Sequence, residues 1–337
     1  MALLNRLKRI DALRHRVKRA KVYREYFHDA RLMNQYLLDG GADPDHDAYR
    51  IMLAVHSLEK GLSYRAPRAF GAEKAVRLVE LMLAASDPVR ASTAYRMGAE
   101  VLAAWLSFHD AREASTGPAH HRVRSFLAEL ESDPVPDTAL PAGTRVITNR
   151  DATHWGELPF DRFVRTRHST RRYAAGALDD AVVRECVELA LLSPSACNRQ
   201  MVRVHFFDEE REKTLLYRTL HGTGGIDFDT CRLGIVTFDT KSLEFFGERN
   251  QGYLNAGLFA MTLVYAFHWR GIGSCLLQFG NTFKEERMLV RELGLPDTER
   301  IAVGISIGVL ESDDVVPASV RRRVDEVVNL PGPALRN

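Results

Sequence analysis

The chain has 337 residues and a formal net charge of +2, and 45% of its residues are apolar while 27% are charged. The length suffices for more than one domain, and the composition is ordinary for a globular protein. The near-neutral balance excludes a protein that binds polyanions with its whole surface. Charge is nevertheless uneven, because residues 1–24 contain nine Lys/Arg and one acid, Asp11.

Cysteine usage and hydropathy indicate the compartment. The cysteines form no C-x-x-C pair and match no zinc spacing, which predicts reduced thiols and no metal site. No run reaches the ~18 apolar residues that span a bilayer, and no secretory h-region follows the basic start. We therefore expect a cytoplasmic protein. The four thiols are Cys186, Cys197, Cys231 and Cys275.

Residues 1–130 are predicted to be helical throughout. The first helix carries an apolar stripe with a basic opposite face. Packing of this stripe on the protein's own body is the favoured interpretation, and weak contact with an anionic membrane surface or a partner is the alternative. Aromatic residues are not interleaved with the charges, which argues against nucleic-acid binding. The stripe consists of Leu3, Leu7, Ile10, Leu13 and Val17.

Further helices are predicted at 45–61, 72–86, 89–113 and 119–131. Gly61 is suited to end the helix predicted at 45–61 in a left-handed backbone conformation. His56 and Lys60 share one helix face by their four-residue spacing. A solvated helix end is the favoured interpretation for them, and substrate contact is the alternative.

Residues 131–159 are interrupted by prolines and glycines, which predicts a linker or a segment that wraps over the surface. The predicted division is therefore a helical extension (1–130), this linker, and a second domain (160–337). In the second domain we predict helices at 179–192 and 252–269 and strands at 202–207, 233–238 and 300–310. Strands separated by helices indicate an α+β or α/β domain.

The first motif that can carry chemistry is the run Arg167-His168-Ser169-Thr170-Arg171-Arg172. Two guanidinium groups four residues apart, with a hydroxyl between them, are suited to grip one phosphate. A solvated basic turn explains the same residues equally well. The run alone leaves both interpretations open.

Three further segments are weak signals by themselves. The loop Ser193–Gln200 offers donors and acceptors for the edge of a polar heterocycle, or is a helix-ending turn. The segment Gly271–Gln278 allows a sharp turn, but no strand precedes it, so we reject a Rossmann dinucleotide site. The basic triplet 321–323 either binds a phosphate or forms a solvated surface cluster. Taken by itself, the triplet favours the surface cluster.

In their order, these motifs resemble those of the nitroreductase family of FMN enzymes. The motifs are R-x-S-x-R, P-S-x-x-N-x-Q, a long helix that ends in G-x-G-S-C, an I-S-I-G strand and a basic triplet. The resemblance covers about Phe160 to Leu330. It implies an α+β fold with a nitroreductase-like mixed sheet flanked by helices, here preceded by an all-helical region, and an intertwined homodimer with FMN at the subunit interface.

The resemblance also implies residue roles. Arg167, Ser169 and Arg171 would hold the FMN phosphate and ribityl chain, and His168 would contribute mainly backbone contacts. The loop residues that meet the flavin from the partner subunit would be Ser195, Asn198 and Gln200. Backbone amides of Leu277 and Gln278 would lie near flavin N5 and O4, and Arg321 and Arg323 would close over the phosphate.

The implied activity is FMN-dependent oxidation and reduction of a small organic substrate, with NAD(P)H as electron donor in a ping-pong cycle. No acid–base side chain is needed, so no catalytic residue is predicted. Two alternatives stay open: a protein that sequesters flavin without turnover, because Phe279 would narrow the pocket, and an enzyme that consumes FMN. The helical extension resembles that of bacterial proteins encoded with polysaccharide or specialised-metabolite genes, which leaves the substrate and the preferred nicotinamide donor open.

Overall fold

The computed structural model describes residues 2–37, 44–64, 69–112, 117–130 and 142–329, with the backbone alone for 2–12, 35–37 and 44–45. The chain forms two compact units. One comprises residues 1–35 and 148–314, and the other comprises 36–147 and 315–337. These units are not consecutive in sequence, so they divide the chain differently from the predicted boundaries, which stay a prediction. Residues 131–141 of the predicted linker lie outside the described residues.

The second unit is a bundle of helices around an apolar core. Trp105, Leu58 and Leu78 are fully buried in it. Helix α5 begins at its N-cap Ser92, whose side chain accepts a hydrogen bond from the Tyr95 amide and so satisfies an N-terminal donor. The helices are α2 (Pro44–Leu62), α3 (Ala72–Leu83), α4 (Asp87–Arg90), α5 (Thr93–Asp110) and α6 (Pro118–Leu130).

The prediction of a left-handed stop at Gly61 was wrong. Helix α2 continues through Gly61 to Leu62, and Gly61 is absent from the glycines with positive φ. A Cβ atom at this position would lie in the Phe70 ring, whose nearest atom is 2.1 Å away. The glycine is therefore required for the close approach of an aromatic ring and not for a turn.

The first unit is built on an antiparallel sheet of five strands. The strand order is β2-β6-β4-β3, and β5 pairs with β6. Its strands are β2 (Tyr173–Ala174), β3 (Val202–Phe207), β4 (Arg232–Asp239), β5 (Ile272–Leu277) and β6 (Glu299–Leu310). Two further strands, β1 (Thr144–Thr148) and β7 (Asp313–Pro317), pair with each other.

Helices cover both faces of the five-stranded sheet. Alternation along β4 sends Ile235 into one core and its neighbour Val236 into the other. The helices of this unit are α1 (Ala2–Leu37), α7 (Phe160–Thr166), α8 (Asp180–Leu191), α9 (Glu210–Thr219), α10 (Gln251–Trp269) and α11 (Phe283–Glu292). The predicted class, an α+β mixed sheet flanked by helices with a helical region before it, is confirmed.

The apolar stripe of α1 is not covered where its side chains are described. Leu13 is 63% exposed and Val17 is 48% exposed. The favoured interpretation, in which the stripe packs on the protein's own body, was therefore wrong for these two residues. The side chains of Leu3, Leu7 and Ile10 lie outside the described residues. Within the described part of the chain, every helix is too short or too polar to cross a membrane.

Candidate functional site

The predicted phosphate-binding run, residues 167–171, is fixed against the sheet. The amide of Thr170 donates to the carbonyl of Ser274 on β5 at 2.9 Å. The Tyr173 hydroxyl donates to the Thr170 carbonyl at 2.9 Å and lies 2.8 Å from the Ser306 hydroxyl. Tyr173 and Ser306 are both buried. The run is therefore held by hydrogen bonds inside the protein, unlike a solvated turn.

Gly273 allows this close contact. A Cβ atom on Gly273 would lie 2.9 Å from the methyl carbon of Thr170 and 2.9 Å from Leu310. Such distances are shorter than real Cβ contacts, so a larger residue would displace the run from β5. Gly273, the second glycine of the G-x-G-S-C motif, thus allows the run 167–171 to lie close to the sheet.

Aromatic side chains support the start of the run. The ring of Trp155 lies 4.2 Å from that of His268, and the Thr166 hydroxyl lies 2.8 Å from His268 Nε2. Burial, and to a lesser extent the neighbouring His168 and Arg167, lower the pKa of His268 to about 3. His268 is therefore neutral at ordinary pH and adds no positive charge beside Arg167.

His168 itself is buried, and its Nδ1 atom lies 3.0 Å from the Thr166 carbonyl. Its side chain therefore belongs to the protein interior. This arrangement is compatible with the implied role, in which His168 meets a ligand mainly through its backbone, and that role stays a prediction.

Two neighbouring arginines differ in their partners. Arg172 forms an ion pair with the buried Asp314 at 2.7 Å and a longer one with Glu311 at 3.6 Å. The buried Nε atoms of Arg171 and Arg172 both lack a hydrogen bond of standard geometry among the described residues, but that of Arg172 lies beside the Asp314 carboxylate. Because burying a guanidinium nitrogen without a partner is costly, Arg171 is suited to an external anion.

The loop 195–200 has an unusual backbone. Cys197, Asn198 and Gln200 have positive φ values of 51°, 53° and 47°. Three such residues in four positions are rare outside glycine and mark a conformation held by its surroundings. The Ser195 hydroxyl accepts from the Gln200 amide at 3.0 Å and from the Asn255 side chain at 3.2 Å. The predicted polar residues of this loop thus contact one another.

Arg199 anchors this loop and was missed by sequence reasoning. Its guanidinium binds Glu248 with two hydrogen bonds and also donates to the Ser242 carbonyl at 2.5 Å. The pair lowers the pKa of Glu248 to about 2, mainly through these hydrogen bonds. No local sequence pattern joins the two residues, since 49 positions separate them.

The loop and the run are separated along the sheet within one chain. The loop leads into Val202, which pairs with Phe238, and Phe238 pairs with Arg300 at the start of β6. The run is bonded through Thr170 to Ser274 of β5, which pairs with Ile307 of β6. Seven residues at about 3.3 Å each place this register point about 23 Å from Arg300 along the strand.

Leu277 and Gln278 end strand β5. Leu277 is buried and pairs with Gly304, and the Gln278 carbonyl accepts from the His221 amide at 2.8 Å. Phe279 packs against the apolar core on one face of the sheet. The ring is partly buried there, and the expectation that it narrows a pocket stays a prediction.

Arg321 and Arg323 belong to the unit that contains the helical bundle. There Arg321 donates to the Ser319 carbonyl, and Arg323 forms an ion pair with Asp325. Their predicted contact with a phosphate stays a prediction. No group of side chains suited to hold a metal ion occurs among the described residues.

Comparison with known proteins gives one family match. Residues 164–223 match the model described as the nitroreductase family. No curated protein matches the chain. The matched segment includes both the Arg167 run and the loop 195–200, which are two of the motifs singled out above.

Solved structures with a similar arrangement cover about half of the chain. A nitroreductase family protein from Streptococcus pneumoniae shares 22% identity over 51% of this chain and all of its own, with a TM-score of 0.44. A putative nitroreductase in complex with FMN from Desulfovibrio desulfuricans shares 22% identity over 52% of this chain and 99% of its own, also with a TM-score of 0.44. An FMN-dependent nitroreductase from Clostridium difficile shares 20% identity over 43% of this chain and 84% of its own, with a TM-score of 0.37.

The match over residues 164–223 agrees with the resemblance seen in the motifs of the sequence. Residues 164–223, which carry the Arg167 run, are therefore similar to the nitroreductase family, and a helical region precedes them in the chain.

Proposed function

We propose that the protein is an FMN-dependent oxidoreductase that uses NAD(P)H to reduce a small organic substrate. The observation that carries the proposal is the run 167–171, which is held on the sheet while the buried Nε atom of Arg171 has no hydrogen-bond partner among the described residues. A phosphate monoester is a dianion whose oxygens accept such bonds, and Arg binds it in a fixed geometry.

These residues fit FMN. Arg167 and Arg171 would hold its phosphate, with the Ser169 hydroxyl between them in sequence. When bound, FMN supplies the hydride chemistry, and the protein binds and orients it. The pairing of Arg172 with Asp314 keeps Arg172 engaged inside the protein.

Dimerisation is part of the proposal. The loop 195–200 and the run 167–171 are separated along the sheet of one chain, which supports a site that takes its loop from a second chain. Helix α10 carries an exposed apolar stripe, with Leu254 57% and Leu258 40% exposed. Burial of this stripe against a second copy would remove apolar surface from water.

The test is the flavin content of the purified protein. The double variant R167A/R171A is expected to purify without FMN, while the wild type purifies yellow. A matched control, R162A/R165A, removes two exposed arginines of α7 and is expected to keep the flavin. Circular dichroism checks that both variants fold. Full flavin in R167A/R171A would contradict the assignment of this run.

Anaerobic reduction of the bound flavin then separates the alternatives. Bleaching by NADH or NADPH, followed by turnover with a quinone or nitroaromatic acceptor, supports the oxidoreductase. A flavin that neither donor bleaches favours a sequestering protein. Loss of FMN after reduction and exposure to oxygen favours an enzyme that consumes it.

Contact of α1 with an anionic membrane surface is a separate part of the proposal. The exposure of Leu13 and Val17, beside nine basic residues in positions 1–24, supports it. Sedimentation with vesicles that contain phosphatidylserine is expected to exceed sedimentation with neutral vesicles. Equal amounts in both pellets would argue against the contact.

A further inference from the structure

A groove between α2 and α3 lies on the helical bundle, and the proposed flavin chemistry does not use it. Its volume is about 470 Å³. This size lies in the range of small-molecule sites. The basic side chains that line it are Arg50, His56 and Lys60 of α2 and Lys74 and Arg77 of α3.

Helical spacing brings these basic side chains together. His56 and Lys60 are four residues apart on α2, and Lys74 and Arg77 are three apart on α3, so each pair shares one helix face. Leu58 and Leu78 of the same two helices are fully buried in the bundle core. The two helices therefore turn apolar faces inward and bring basic residues to the groove.

The groove keeps a positive balance despite nearby acids. Glu73 is the single acid that lines it among the described residues. Arg50, His56 and Arg77 have acidic neighbours three residues away, at 3.4 Å from Asp47, 4.0 Å from Glu59 and 3.6 Å from Glu80. The two arginine pairs are exposed, contribute little and leave both guanidinium groups able to contact a ligand.

Apolar residues lie among these charges. Leu53 is 72% exposed, and Ala54 and Leu81 line the same groove. A large apolar side chain exposed in a basic groove suits a ligand that has both an anionic group and an apolar body. A bare inorganic ion would leave Leu53 in contact with water.

We propose that the α2–α3 groove binds an organic phosphate. The ammonium groups of Lys60 and Lys74 and the guanidinium of Arg77 contact the phosphate oxygens, and Leu53 and Leu81 contact the apolar part. Guanidinium and ammonium groups together recognise a phosphate dianion by charge and by hydrogen bonds. The site is independent of the proposed flavin chemistry.

Calorimetric titration of the full-length protein with phenyl phosphate tests this site. Saturable binding is expected for the wild type. The titration is repeated with R167A/R171A, which is expected to retain this binding, because the run 167–171 then cannot be the site that takes the probe. The variant K74E/R77E is expected to bind at least about tenfold more weakly, because two attractive charges become repulsive. The control R122E reverses an exposed charge on α6 and is expected to bind within about twofold of the wild type.

A second variant, K60Q, is also expected to bind phenyl phosphate more weakly than the wild type. It provides an independent result if K74E/R77E does not fold. Circular dichroism checks the folding of both variants. Absence of saturable binding to the wild type would overturn the proposal. Equal binding by the wild type, K74E/R77E and K60Q would overturn it as well, because the probe would then bind elsewhere. Inorganic phosphate and phenol are expected to bind more weakly than phenyl phosphate, and equal binding of inorganic phosphate would overturn the role of Leu53 and Leu81.

Discussion

The guanidinium of Arg199 holds the carboxylate of Glu248 through two hydrogen bonds, Nη1 to Oε2 at 2.9 Å and Nη2 to Oε1 at 2.5 Å. Paired bonds of this kind fix both position and orientation. They join the loop 195–200, with its strained backbone, to the segment before α10. The loop conformation therefore depends on a contact that is distant in sequence.

The ionised state of Glu248 should contribute to stability over a defined pH range. Its pKa falls from an ordinary value of 4.5 to about 2 in the folded protein. The contribution is present above about pH 4.5 and is lost as the pH falls towards 2, because the unfolded chain takes up the proton first. The variant E248Q is expected to be less stable at neutral pH and to lose this part of the acid dependence. Chemical denaturation at several pH values measures both effects.

The neighbouring variant E244Q is the control, since Glu244 is exposed. It should retain the acid dependence of the wild type. An identical pH profile for E248Q and the wild type would show that the ion pair is not maintained in solution.

His268 should make the protein sensitive to mild acid. Its pKa in the folded protein is about 3, compared with 6.5 in an unfolded chain. The contribution of neutral His268 to the free energy of unfolding is fully present above pH 6.5. It declines as the pH falls from 6.5 towards 3, because only the unfolded chain binds the proton in this range. The variant H268Q is expected to show a flatter dependence over this range. Exposed His154 offers the control variant H154Q, whose profile should follow the wild type.

Thiol labelling should distinguish Cys197 from the other cysteines. Cys197 is exposed, whereas Cys186, Cys231 and Cys275 are buried. Burial also raises the pKa of Cys186 and of Cys231 to about 12, so little thiolate is available from either. One equivalent of a disulfide reagent is expected to react rapidly with the native protein. The variant C197S should lose that equivalent, and rapid reaction of a second thiol would contradict the described burial.

Long periodic segments were predictable from the sequence. The predicted strand 202–207 coincides with β3, and the helix predicted at 252–269 agrees with α10 to one residue. Strand β5 was missed because its Gly271 and Gly273 suggested a turn. Gly271 does turn the chain, with φ of 68°, but Gly273 lies within the strand, where it admits Thr170. Amphipathic helices α9 and α11 were missed within segments that are rich in charge.

The motifs of the candidate site were recognised by their order, but their supports were not. Arg167 and Ser195 belong to short sequence motifs, and such motifs can be recognised in one amino-acid sequence. The anchors Tyr173, His268 and Glu248 act through tertiary contacts, and such contacts have no spacing in sequence. The separation of the run and the loop along the sheet also depends on strand register, which hydrophobic periodicity does not specify.

Glu59 of the helical bundle should be needed for stability through its hydrogen bonds. Its carboxylate is 1% exposed and accepts from the amides of Gly143 at 3.2 Å and Ser319 at 3.3 Å. The variant E59A leaves both donors without this acceptor, at a cost of about 1–3 kcal/mol for each. We expect E59Q to lose less, because its amide oxygen still accepts. Chemical denaturation compares both with E129A, an exposed control on α6.

The pH dependence gives a second test of the same residue. Burial raises the pKa of Glu59 above its ordinary value of 4.5. Its contribution to stability is therefore complete below pH 4.5 and declines as the pH rises through the raised pKa. E59Q, which does not ionise, should lack this decline. If E59A and E129A were equally stable at every pH, the two amides would be satisfied by water, and Glu59 would not hold residues 143 and 319.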